Sequence, residues 1–164
     1  MSLSFRKHTS MRKLQWLVFA MVILLRPANA QSADTKIAIL HGTELLDQCS
    51  RQSPTADGTW NPTLADVERL EALLPSALAK APQARDLDAL RVLSEWTRQY
   101  AGLLRGGKRY LYGSFFNVGA NSDLLFPEWR IKPLIVCDGG SSVFGIELDV
   151  EQRTISHLSF NGHG

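Results

Sequence analysis

The 164-residue sequence has few cysteines, few histidines and no long hydrophobic run. Its two cysteines, Cys49 and Cys137, are too far apart for a CxxC pair, which excludes a thioredoxin-like redox motif. None of the four histidines has the HxxxH or HExxH spacing of a zinc site, and no nucleophile-elbow, Rossmann or P-loop motif is present. We therefore predict no cofactor and no metal site, and a role other than catalysis is the better interpretation.

The longest apolar run, Leu14–Leu25, has 12 residues, whereas a membrane-spanning helix needs about 20. It ends near the small-residue triplet 28–30, Ala-Asn-Ala, and it is preceded by four basic residues: Arg6, Lys7, Arg12 and Lys13. This pattern predicts a signal peptide over residues 1–30, either from Met1 or from a later start at Met11. The alternative is an uncleaved signal anchor, which would be the only membrane attachment.

The part of the chain that follows the predicted signal peptide has no excess of basic residues. The chain has 18 Lys and Arg against 16 Asp and Glu, but five of the basic residues lie in residues 1–30. The remaining 13 basic and 16 acidic residues give residues 31–164 a net charge of −3. This part has no basic stripe for nucleic-acid binding, and its length suits a single domain.

The two cysteines are predicted to pair with each other. An even number of cysteines in an exported chain is most simply a disulfide, here Cys49–Cys137, across 88 positions. The expected location is therefore the periplasm or the exterior of the cell.

Three helices are expected in the first half of the predicted domain. The shortest covers 43–49. The next begins at Thr63, with an aspartate in capping-box position, and is expected to break or kink at Pro75, with residues 75–81 continuing as one or two helical turns before Pro82. The longest covers 86–105, carries a continuous apolar stripe, and is expected to end at Gly106-Gly107. Residues 50–62 are expected to form a loop.

Four strands are expected in the second half, at 108–118, 134–137, 144–150 and 154–160. The predicted fold is α+β, with two to three N-terminal helices packed on a four-stranded antiparallel sheet in the style of cystatin-like domains. The sequence leaves open whether the connection at 119–132 is ordered.

The register of the last hairpin supplies the candidate catalytic residues. A three-residue loop, 151–153, keeps the apolar residues of both strands on one face. It also places Glu147 opposite His157, with Asp149 two residues along on the same side as Glu147. Such a group can do acid–base chemistry, or it can be a cross-strand ion pair on a solvated face.

Two further segments are candidate binding sites. Trp60, Phe126 and Trp129 fall in predicted loops, where aromatic side chains either anchor a ligand or cover the protein's own core. The turn at 138–142, Asp-Gly-Gly-Ser-Ser, could hold an anion with its backbone amides, or it is simply a tight turn between strands.

Two segments resemble known groups of proteins. Asp138-Gly139-Gly140, Asp149 and Asn161-Gly162 resemble the C-terminal segment of uncharacterised exported proteobacterial proteins, a likeness that implies no activity. Residues 42–49, Gly-Thr-Glu-Leu-Leu-Asp-Gln-Cys, resemble the opening of periplasmic immunity proteins that neutralise type VI secretion effectors.

These features together predict a small exported binding or interaction protein whose partner is an unidentified protein or a component of the cell envelope. One alternative is an inhibitor or immunity protein of a cell-envelope hydrolase. The other is a small acid–base hydrolase that uses Glu147 and His157.

Overall fold

The computed structural model describes residues 36–119 and 122–162, which belong to one compact unit. The predicted signal peptide, residues 1–30, lies outside the described residues. Within them, no helix is long and apolar enough to cross a bilayer. The described residues form six strands and three helices: β1 (Ile37–Leu40), β2 (Gly58–Trp60), α1 (Leu64–Leu78), α2 (Ala89–Glu95), β3 (Thr97–Arg105), β4 (Lys108–Phe116), α3 (Ser122–Leu125), β5 (Val143–Asp149) and β6 (Thr154–Phe160).

The six strands form one mixed sheet with the order β1-β3-β4-β5-β6. Strand β1 runs parallel to the first half of β3, and β2 pairs antiparallel with its second half. The α+β class is confirmed, but the predicted four-stranded, purely antiparallel sheet is wrong. The helices are also not all N-terminal, because α3 lies between β4 and β5. Strand β6 forms one edge of this sheet.

Helix α1 begins as the sequence predicts. Thr63 and Asp66 form a reciprocal capping box, with Asp66 accepting from both the backbone N–H and the hydroxyl of Thr63. The helix does not break at Pro75 but continues to Leu78, as the alternative of further helical turns over 75–81 allowed. Leu74 and Leu78 are both buried against the sheet, and this packing holds the turn that contains the proline.

The predicted helix over 86–105 is wrong for most of its length. Helix α2 ends at Glu95, and β3 follows from Thr97. Gly106 and Gly107 do not cap a helix; they form the two-residue turn between β3 and β4, with φ values of 57° and 74°. Positive φ at both positions is the geometry of the tightest β-hairpins.

The Cys49–Cys137 disulfide is present, with the two Cα atoms 5.0 Å apart. The predicted strand at 134–137 is wrong: this segment is irregular and is held by the disulfide and by side-chain amides instead of a ladder. The predicted helix at 43–49 is only a 3-10 turn, Glu44–Leu46. The predicted loop at 50–62 contains β2.

Each face of the sheet carries its own core. The face that we call the helix face packs against α1 and α2 through apolar residues, which include Leu70, Leu74, Trp96, Leu111, Phe115, Phe144 and Ile146. The opposite face, the loop face, is covered by residues 41–57 and 122–140. Its buried apolar residues include Leu45, Ala101, Tyr112, Phe116, Trp129 and Leu134.

Candidate functional site

The β5–β6 hairpin brings the candidate catalytic residues together in the backbone register. Glu147 pairs with His157 at the Cα level, as predicted. The ladder then shifts by one residue, so that Ser156 has no partner on β5 and Asp149 pairs with Thr154. The connecting loop therefore has four residues, not three. Its last residue, Arg153, has φ of 56°.

The side chain of Glu147 is committed to other partners. It is 1% exposed, and Arg105 donates to its Oε1 at 2.8 Å and to its Oε2 at 3.1 Å. The hydroxyl of Ser156 also donates to Oε1. The hydrogen bond to Glu147 raises the pKa of Arg105 above its ordinary value. Both oxygens of this carboxylate are thus occupied by a permanent cation and a hydroxyl.

His157 and Asp149 are likewise engaged elsewhere. The Nε2 of His157 lies 2.9 Å from the carbonyl oxygen of Gln52. Asp149 is buried, and its Oδ1 accepts from the backbone N–H of Gln152 inside the hairpin loop. Across residues 36–119 and 122–162, no three His, Cys, Asp or Glu side chains converge as a metal site would require. The three residues share a hairpin, but their side chains do not form one constellation.

A buried cation, Arg51, lies beside this hairpin and was not singled out from the sequence. It is 8% exposed and donates to the hydroxyls of Tyr112 and Ser114 and to the side-chain oxygen of Asn161. No carboxylate pairs with it among the described residues. The one sequence feature that could have indicated this buried group is Gly145, a glycine in the middle of β5, because glycine in a strand often marks a close approach. In the structure, a Cβ on Gly145 would lie 2.1 Å from the Tyr112 hydroxyl oxygen.

Two of the three aromatic residues predicted in loops, Phe126 and Trp129, belong to the loop-face core, whereas Trp60 does not. Trp129 is 1% exposed, and its Nε1 donates to Asp123. Trp60 lies in β2 and donates from Nε1 to the carbonyl oxygen of Tyr110. Phe126 is half-buried against the loop-face core. Phe126 and Trp129 thus cover the loop-face core, whereas Trp60 is half-buried outside both core clusters.

The glycine turn at 138–142 is also internally bonded. Gly139 and Gly140 both have positive φ, and the N–H of Gly140 donates to the carbonyl oxygen of Gly162. The side chain of Asn161 donates to the carbonyl oxygens of Val136 and Asp138. The turn thus ties the disulfide segment to the C-terminal end of β6.

Strand β6 is one of the two terminal strands in the order of the sheet, and its outer edge exposes backbone groups. The N–H of Asn161 donates to the carbonyl oxygen of Val143, and bonded and non-bonded pairs alternate along an antiparallel ladder. The N–H and C=O groups of Leu158 and Phe160 therefore point away from β5. No strand within 36–119 and 122–162 pairs with this edge.

A groove runs along this edge between β6 and the end of α1. It consists of two adjoining cavities of about 550 and 540 Å³, which share Ala81 and Leu158. One wall is β6, and the other is formed by the last turns of α1 and by residues 81–86. We call this the β6 groove. A strand edge beside a helix offers both backbone partners and side-chain pockets to an extended peptide.

A second exposed surface lies on the covering segment of the loop face. Leu124 is 79% exposed and Ile131 is 74% exposed, with Leu125 and Ile135 also exposed. We call residues 124–135 the apolar loop segment. It offers no free strand edge, since it forms α3 and irregular turns.

The chain matches no family model, and neither a curated protein nor a solved structure is significantly similar to it. The resemblances of residues 42–49 and of the C-terminal segment rest on the quoted residues alone and stay predictions.

Proposed function

We propose that this protein is an exported binding protein that takes an extended segment of a partner protein as an added strand on β6. The free edge of β6 beside the β6 groove is the observation that carries the proposal. The disulfide is consistent with an oxidising compartment, as an exported protein requires.

The composition of β6 supports this role for its edge. Its sequence, Thr-Ile-Ser-His-Leu-Ser-Phe, contains no Lys, Arg, Asp, Glu or Pro. Folded proteins usually protect exposed edges with charges, prolines or bulges, and here the unpaired Ser156 is the only such irregularity. An edge without Lys, Arg, Asp, Glu or Pro over seven residues is suited to pairing with another strand.

Strand addition would use the groups already described. The N–H and C=O groups of Leu158 and Phe160 would bond the ligand backbone. Alternate ligand side chains would enter the groove against Leu73, Ala77 and Leu158. The main-chain bonds would give affinity, and the pockets would give selectivity.

The hydrolase alternative has less support, because Glu147 is held by Arg105 and His157 by the Gln52 carbonyl group. The inhibitor alternative is a special case of partner binding. It predicts a stoichiometric complex with a cell-wall hydrolase, formed through the same edge.

A proline at Leu158 tests the proposal. Leu158→Pro removes an N–H that points away from β5, so the sheet should keep its ladder while the edge loses a donor. The matched control is Ser159→Pro, which removes an N–H that bonds to β5 and should destabilise the hairpin. The probe is a phage-displayed random heptapeptide library, selected on the exported, disulfide-bonded protein.

We expect selected peptides to bind the wild type at least tenfold more tightly than Leu158→Pro, and to shift NMR signals of residues 154–160. Equal binding to both proteins, shifts confined to the apolar loop segment, or no enrichment would overturn the proposal. A dimer of the wild type that Leu158→Pro dissociates would overturn it in favour of a second copy as the occupant.

A further inference from the structure

The two ends of the β6 groove differ in charge. The cavity near the hairpin loop is lined by Lys80, Arg153 and His157 and contains no acidic residue. The cavity at the other end contains Arg85 and Asp86, which pair with each other at 3.4 Å. Only the hairpin end therefore has cations without a neighbouring carboxylate in its lining.

Lys80 and Arg153 also differ from most basic residues of the described chain. Eight of the others form ion pairs with a carboxylate: Arg69, Arg85, Arg91, Arg98, Arg105, Arg109, Arg130 and Lys132. Lys80 and Arg153 form none within residues 36–119 and 122–162, although residues 31–164 carry an excess of acidic residues. Two cations that line one cavity without a partner provide charge complementarity for an anion.

The backbone conformation of Arg153 also supports a role for its side chain. Its φ of 56° lies in the left-handed region, and it is the only non-glycine residue of the described chain found there. Glycine adopts this conformation without strain, whereas an arginine does not. A strained position that carries a long charged side chain on the rim of a groove is a reason to look for a function of that side chain.

We infer that the β6 groove selects an extended segment that carries an acidic side chain, an Asp or Glu, which binds Lys80 and Arg153 at the hairpin end. This inference rests on the proposed strand addition. In an antiparallel addition the C-terminal end of the ligand lies beside Thr154, so the acidic residue would follow the extended part of the ligand.

The test compares the same heptapeptide library on the wild type and on the double variant Lys80→Gln/Arg153→Gln, with Lys108→Gln as the control, because Lys108 is an exposed lysine outside the lining of the β6 groove. We expect Asp and Glu to be enriched near the C-terminal end of peptides selected on the wild type and on the control, but not on the double variant. The best acidic peptide should bind the double variant about tenfold more weakly, since each exposed ion pair contributes modestly. Its Asn/Gln analogue should bind both proteins equally.

A single variant separates charge recognition from folding. Arg153→Gly should relieve the left-handed strain and raise the unfolding temperature, while it weakens binding of the acidic peptide and leaves its neutral analogue unaffected. If Arg153 had only a structural role, Arg153→Gly would change the binding of the acidic peptide and of its neutral analogue by the same factor.

The outcomes distinguish this inference from the proposal on which it rests. Peptides that depend on Leu158 but show no acidic preference would overturn the charge recognition and leave strand addition standing. Peptides that bind independently of Leu158 would overturn both. Acidic peptides that bind the double variant as well as the wild type would show that other groups recognise the acid.

Discussion

The helix face and the loop face of the sheet are buried to similar extents, but they are stabilised in different ways. A helix satisfies its own backbone hydrogen bonds, so the sheet residues beneath α1 and α2 are mostly apolar. Irregular segments do not satisfy their own backbone hydrogen bonds, so their N–H and C=O groups need partners from other parts of the chain.

On the loop face, polar side chains from the sheet supply these partners. The side chain of Gln99 donates to the carbonyl oxygens of Trp129 and Lys132 and accepts from the N–H of Leu134. Asn161 bonds residues of the disulfide segment in the same way. Buried amides, Arg51 and the disulfide thus take the place of a regular covering layer, and this explains why the loop face is rich in buried polar residues.

Removing the disulfide should therefore affect the loop face most. We expect the variant Cys49→Ser/Cys137→Ser to lose about 4 kcal/mol of unfolding free energy, because the bond closes a loop of 88 residues in the unfolded chain. Guanidinium chloride unfolding measures the loss. Amide exchange should accelerate at 99 and 129–134 before it does so in α1.

A uniform acceleration over both faces would contradict this comparison, because it would show that the disulfide acts through global unfolding alone and does not hold the loop face locally. Leu70→Ala is the matched variant on the helix face. Leu70 is fully buried against the sheet, and its truncation should cost about 3 kcal/mol without loosening residues 129–134 selectively.

The second prediction compares two arginines. Arg51→Met leaves the buried hydroxyls of Tyr112 and Ser114 and the amide of Asn161 short of a donor, so we expect a loss of about 2 kcal/mol in unfolding free energy. Arg91, which forms an exposed ion pair with Glu95, is the control. Arg91→Met should leave the unfolding midpoint nearly unchanged.

A count of ion pairs would predict the reverse order, because Arg51 has no carboxylate partner and Arg91 has one. If Arg91→Met proves the more destabilising of the two, the polar network of the loop face contributes less than its hydrogen bonds indicate.

The sequence was sufficient where the determining signal is local. The capping box at Thr63 and Asp66 and a strand that begins at Lys108 follow from residues close together in the chain. The pairing of Glu147 with His157 was also predicted, but from a three-residue loop; the loop has four residues, and the unpaired Ser156 restores the register. The disulfide followed from an even cysteine count in a chain predicted to be exported.

The sequence was not sufficient where the structure of a segment depends on pairing with residues that are distant in the chain. The stripe over 96–104 fits a helix, but its residues become β3 because they pair with β4 on one side and with β1 and β2 on the other. The burial of Arg51 depends on a loop that crosses the sheet, and the free edge of β6 depends on the strand order. Neither can be read from a local pattern, although a glycine inside a strand, such as Gly145, is a general sign that another group approaches closely.

The last prediction concerns the helix face, where the charge of Asp66 at the first turn of α1 can be tested independently of the loop face. Burial, the largest single influence, would raise the pKa of Asp66, but the hydrogen bonds from Thr63 and the charge of Arg69 together lower it below its ordinary value. A lowered carboxyl pKa stabilises the fold above the unfolded pKa of about 3.9, and this contribution is lost as the pH falls through the folded value. Asp66→Asn should cost about 1 kcal/mol at pH 7, and the difference from the wild type should close below about pH 4.

Thermal unfolding of both proteins between pH 3 and pH 7 measures this convergence, with Asp86→Asn as a control for the change in net charge because that side chain is exposed and lies outside the helices. The loop-face variant Arg51→Met should show no such convergence, since an arginine keeps its charge over this range. A gap between Asp66→Asn and the wild type that stays constant down to pH 3 would mean that the capping box stabilises α1 by shape alone. In that case the helix face would depend on packing and not on the charge at its first turn.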